Sequence, residues 1–172
     1  MVLNKMKRAS IKRSIQKLTA KRVLENHNSK IEKVVCLIDV DAFGSVQELD
    51  QLIETLQIKS INFKVIGYSA QKKTIKTYSG LLLTNTKIGW KGVVKDSEIK
   101  DIIAKPTDLL INYYNKEVLG LELLSAKSPA KFKVGFGNVN PQLNDLIIGC
   151  DITDINTFKT EMVKYLKVLN KL

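Results

Sequence analysis

At 172 residues and 44% hydrophobic content, the chain has the size and apolar share of one globular domain with a sizeable core. No apolar run approaches the ~20 residues needed to span a bilayer, none precedes a small-residue cleavage site, and two cysteines, Cys36 and Cys150, are too few for a disulfide scaffold; together these predict a cytoplasmic protein without a transmembrane segment. The net charge of +11 is uneven: residues 1–30 hold nine Lys or Arg against one acid, and residues 31–172 hold 19 against 16, an asymmetry that points to nucleic acid or an anionic membrane surface.

The first 30 residues contain no Pro or Gly. Leu3, Met6, Ile11, Ile15 and Leu18 recur at helical spacing, and Lys5, Arg8, Lys12, Arg13, Lys17, Lys21 and Arg22 fill most of the remainder. This predicts a basic amphipathic helix with a narrow apolar stripe, broken by "NHNSK". The chain thus reads as a basic helical arm over 1–30 and a single α/β domain over 31–172.

"KVVCLIDV" (33–40) is a continuous branched apolar run, too short for a helix and suited to a buried parallel strand. In "SVQELDQLIETLQ" (45–57), Val46, Leu49, Leu52, Ile53 and Leu56 share one helical face, and Ser45 with Glu48 has capping-box spacing. "INFKVIGYS" (61–69) predicts the next strand, which completes a βαβ unit. Residues 73–94 carry turn signals and no clear period, with a short strand expected near Gly80–Thr84 and irregular chain around Trp90. Asp96 is placed to cap a short helix ended by Pro106. Then come a strand over 107–115, a helix with Val118, Leu121, Leu124 and Ser125 on one side, and strands over 130–138 and 144–151. A last helix is capped by Asp154, with Ile155, Phe158, Met162, Tyr165, Leu166 and Leu169 as its core stripe. Strands alternating with helices predict a three-layer, Rossmann-like α/β fold with a mainly parallel sheet, preceded by the helical arm.

In such sheets ligands bind beyond the carboxyl ends of the strands. The residues expected on that rim are Asp39 and Asp41, Tyr68 and Ser69, Asn112 and Tyr113, Gly135 and Gly137, and Cys150 with Asp151. Asp39 and Asp41, two apart, would point the same way in an extended chain and could hold a hard cation. The plainer expectation is that both are solvated turn residues closing the strand. The lone His27 lies in a polar break with no Gly-x-Ser-x-Gly elbow elsewhere, and "GFGN" lacks the rest of a dinucleotide fingerprint. No catalytic set, metal site or cofactor is read from these motifs.

Three resemblances bear on this. "IDVDAFGSVQE" resembles the first catalytic motif of translesion (Y-family) DNA polymerases, which would make Asp39 a Mg²⁺ ligand; that family's second Asp-Glu motif and its helix-hairpin-helix are absent. "TDLLINYYNKEVLGLELLSAKSPAKFKVGF" (107–136) is similar in layout to the N-terminal Rossmann-like half of lipopolysaccharide heptosyltransferases, which implies a fold relation. Through "VVCLIDV", "DLLINYY", "AKFKVGFGN" and "EMVKYLKVL", the whole chain resembles a family of unknown function from Bacteroidota, short soluble proteins with a basic N-terminal helix.

The function expected is a non-catalytic binding module that contacts an anionic partner such as RNA through the arm. Whether its apolar stripe docks on the protein's own body is left open by the sequence, and docking is compatible with RNA binding by the outer face. The alternatives are a peripheral membrane protein and a small metal-dependent enzyme using Asp39 and Asp41.

Overall fold

The computed structural model describes residues 2–22, 29–43 and 46–172. Six strands form one all-parallel sheet: β1 (Val34–Asp39), β2 (Phe63–Tyr68), β3 (Leu82–Leu83), β4 (Leu109–Tyr113), β5 (Phe132–Phe136) and β6 (Leu146–Ile148). Their order is β3-β2-β1-β4-β5-β6, the doubly wound order whose direction reverses between β1 and β4. β1 pairs with both neighbours along its length, Val34 against Phe63 and Leu109. Every residue of β1 and β4 is buried, as expected for central strands covered on both faces.

Alternation divides the core. Val34, Cys36, Ile38, Leu109, Ile111 and Tyr113 face α2 (Asp50–Leu56) and α6 (Ile155–Val168). Val35, Leu37, Leu110 and Tyr114 face α4 (Ser97–Ala104) and α5 (Leu119–Lys127). Asp96 caps α4 by accepting the Ile99 N–H, and Asp154 caps α6 by accepting the Thr157 N–H. α2 is preceded by a 3-10 turn, Val46–Leu49, and ends at Gln57 in the left-handed region (φ 53°). The capping box proposed for this helix needs Ser45, which lies outside the described residues, as does His27.

α1 (Val2–Ala20) lies against α5 and the segment Trp90–Gly92. Ile11 and Ile15 are buried in the same cluster as Leu121 and Leu124, whereas Leu3 and Met6 stay exposed. The apolar stripe is therefore shorter than its spacing predicts. α5 is buried from Gly120 to Ser125, on all sides and not on one, because the sheet covers it on one side and α1 on another. α3 (Lys72–Thr77) falls where no helical period is visible. On α6, Tyr165 and Leu169 are exposed and leave the predicted stripe to Ile155, Phe158, Met162 and Leu166.

Candidate functional site

The rim at the β1–β4 switch point contains the aspartates. β1 ends at Asp39 and residues 40–42 form a turn, so the extended geometry that would align the two carboxylates stops before Asp41. Asp39 is 2% exposed and not a solvated turn residue. Its Oδ1 accepts the Asp41 N–H at 3.1 Å and Lys116 Nζ stands 2.9 Å from its Oδ2. Asp41 reaches sideways to the β2 end, where its Oδ1 accepts from Ser69 Oγ at 2.6 Å and its Oδ2 from the Ala70 N–H at 2.9 Å. Burial pushes the Asp41 carboxyl up, but these hydrogen bonds outweigh it and hold the group below the ordinary carboxylate range. Each carboxylate thus has its own partners, and they join β1 to the loops after β2 and β4. Among the described residues no group of three His, Cys, Asp or Glu is placed to hold a metal ion.

The other rim candidates divide differently. Tyr113 is core: its ring packs edge-on to Phe43, Phe136 and Phe158, and its hydroxyl donates to the Ile152 carbonyl at 2.7 Å. Tyr114 is buried on the opposite face, so neither tyrosine reaches the rim. Asn112 is buried and points toward α5, donating to Ser125 Oγ at 3.0 Å and Asn144 Oδ1 at 2.7 Å. Gly135 lies within β5 beside it; a Cβ there would come 2.7 Å from the Asn144 amide. That glycine makes room for a buried amide pair. Gly137 sits exposed just past β5. The same polar layer contains Lys133, which donates to the Ser125 carbonyl.

Basic residues of α1, with Lys21 in the turn just after it, form two rows on either side of the buried isoleucines. Arg13, Lys17 and Lys21, spaced by four, lie along one side, and Lys5, Arg8 and Lys12 along the other. All six are exposed. Lys12 pairs with Glu117 at 2.7 Å, while among the described residues Lys5, Arg8, Arg13, Lys17 and Lys21 make no ion pair with an acid. Arg22 differs from the rest. It is half-buried and makes a two-pronged pair with Asp145, whose Oδ2 also accepts the Lys133 N–H. It anchors the chain just after the helix to β5 and β6.

Sequence reading leaves out what lies beside the first row. Ser14 Oγ donates to the Lys91 carbonyl at 2.8 Å, and the Lys91 N–H donates to Ser10 Oγ at 3.2 Å. These bonds fix the Trp90–Gly92 turn against α1 and bring an exposed Trp90 to the basic helix. The signal available in the sequence is small: a single tryptophan between glycines in "KIGWKGVV".

A family model matches residues 7–169. The chain belongs to the family of unknown function DUF6913. The match takes in α1 from Lys7 onward and every strand, so the basic helix and the sheet fall within one family unit. No curated protein matches the chain.

Two clefts border α1. One, of about 240 Å³, lies between Lys7, Arg8, Asn85 and the start of α5 at Leu119 and Gly120. The other, of about 300 Å³, is lined by Lys12, Gln16, Glu117, Glu122 and Asn138. In the second, burial and the nearby Glu117 push the Glu122 carboxyl up, against the pull of Lys12. No helix among the described residues is long and apolar enough to cross a membrane.

Proposed function

We propose that this protein is a non-catalytic module that binds RNA through the cationic surface of α1. One observation carries the reading: Ile11 and Ile15 are used up in the core, and among the described residues five cations, four on α1 and Lys21 in the turn that follows it, stand exposed without acidic partners. A helix fixed in this way offers preordered charges. Arg13, Lys17 and Lys21 span about 12 Å at 1.5 Å per residue, and phosphate contacts require cations in reach and little else. Interfacial membrane binding asks for a free apolar helix face, and here the centre of that face is occupied by the body. The metal-enzyme alternative is the weaker one because Asp39 and Asp41 are each engaged within the chain. A cytoplasmic setting suits this reading, with Cys36 and Cys150 both free thiols.

The test is titration of a labelled 20-nucleotide single-stranded RNA with the full chain, followed by anisotropy at 50 mM salt. Saturable binding is expected, and changing Arg13, Lys17 and Lys21 together to Gln should weaken it at least tenfold while leaving the far-UV spectrum unchanged. Absence of binding, or equal affinity in the triple variant, would overturn the proposal.

A further inference from the structure

We infer that Trp90 is a stacking platform for an unpaired nucleobase, so that the polymer bound along Arg13, Lys17 and Lys21 is single-stranded. This rests on the proposed function and specifies its ligand.

The indole is the only one in the chain and is 47% exposed, with Val93 59% exposed beside it. The exposure does not come from loose chain. The Gly89 N–H donates to the Val93 carbonyl at 2.7 Å, the Val93 N–H to the Trp90 carbonyl at 3.2 Å, and Ile88 and Val94 form an antiparallel bridge beneath. The turn is closed by two successive left-handed residues, Lys91 (φ 54°) and Gly92 (φ 76°). At Gly92 a side chain is excluded both by that φ and by Leu123, whose Cδ1 would lie 2.6 Å from a Cβ. Lys91 adopts a backbone conformation unfavourable for an L-residue, and its main chain is gripped from both sides by Ser10 and Ser14 of α1. Local geometry, α5 and α1 therefore combine to fix this turn, and what it presents outward is Trp90 and the exposed Lys91 side chain.

Its position relative to the cations follows from helix periodicity. Ser10 precedes Arg13 by three residues and Lys17 by seven; Ser14 stands in the same relation to Lys17 and Lys21. All five therefore lie on one side of α1. An aromatic face beside a row of Lys and Arg is the arrangement used for single strands, in which exposed bases stack while the backbone is neutralised. A duplex keeps its bases stacked inside, so the same surface would give it only the phosphate contacts. A membrane surface also accepts Trp beside cations, but the apolar residues of α1 that would continue such a face, Ile11 and Ile15, are buried in the body.

The experiment uses the single tryptophan as its own reporter. The full chain is titrated with a 15-nucleotide oligo(A) RNA, with an RNA duplex of equal phosphate count, and with phosphatidylglycerol–phosphatidylcholine vesicles. The single strand should quench the emission saturably, and the duplex should leave it unchanged. Trp90→Ala should weaken single-strand binding roughly five- to 150-fold, the range for loss of one stacked base, with duplex affinity unaltered; Trp90→Phe should recover part of the loss. If the single strand binds through Arg13, Lys17 and Lys21 but neither quenches Trp90 nor loses affinity in Trp90→Ala, the stacking inference fails and the RNA reading stands. If no RNA binds, both fail. A blue shift with vesicles and no response to RNA would assign the surface to a membrane instead.

Discussion

A lysine in the middle of a parallel strand is a poor fit to its surroundings, and Lys133 of β5 is only 1% exposed. Burial and the neighbouring Arg22 pull its ammonium down to about 7, with Asp145 opposing them. In the unfolded chain the same group titrates near 10.5. Between these values the unfolded state binds the proton and the folded state does not, so stability rises with pH, by about 1.4 kcal/mol per unit at most. Burial also pushes the Cys36 thiol up, which acts in the opposite direction once an unfolded thiol begins to ionise. The Lys133 contribution is therefore cleanest at pH 7–8. Urea unfolding of the wild type should show stability increasing over that interval, and Lys133→Met should flatten the rise. A parallel rise in the variant would mean that another group is responsible. Little of this layer is legible in the sequence. "FKVGF" marks a strand, but the reason for its lysine and glycine lies in Ser125, Asn144 and Arg22, which are brought there by other elements. The same holds at the end of β1. Asp39 and Asp41 mark a strand terminus by themselves, while Ser69, 28 residues beyond Asp41, is found only through the fold.

Elements with a strong period and a cap are the ones that sequence reading places well. α4 and α6 begin at Asp96 and Asp154 as their spacing predicts. α3 is missed because "KKTIKT" has no apolar stripe; its one large apolar residue, Ile75, is itself exposed. α1 and α5 show a subtler difference. Each reads as a one-sided helix, yet α5 is covered by both the sheet and α1, so its far-side residues Leu123 and Glu122 are buried too. It follows that α1 contributes to the stability of the body. Ile15→Ala in the full chain should cost roughly 2–5 kcal/mol, as for other buried large-to-small changes. Leu3→Ala, on the same helix but exposed, should stay within about 0.5 kcal/mol. Chemical denaturation of the two variants side by side makes the comparison, and equal small effects would show that α1 is only loosely seated.

For the whole molecule, alternating strands and helices lead to a parallel sheet without further information, since each crossover must return a strand to the same direction. The order of the strands is not readable in this way; nothing local in β4 says that it pairs with β1 rather than β3. Charge, by contrast, is readable as a total and misleading as a location. Residues 1–30 carry nine basic residues against one acid, but Lys12 and Arg22 are paired with Glu117 and Asp145, and the exposed cations without an acidic partner among the described residues stand in two rows on opposite sides of the buried stripe. On the proposed reading, a single strand that stacks on Trp90 follows the row of Arg13, Lys17 and Lys21. With about 0.7 counterions released per contact on a single strand, that row should account for a slope of roughly −2 in log affinity against log salt. Neutralising it with Gln should remove most of the salt dependence. Changing Lys5 and Arg8 to Gln should lower affinity modestly through the long-range field and leave the slope nearly intact. Salt titrations from 50 to 300 mM on the two variants decide between a defined track and diffuse attraction. If both sets of changes reduce the slope in proportion to the charge removed, the strand has no fixed path across α1, and Trp90 then has no particular backbone beside it.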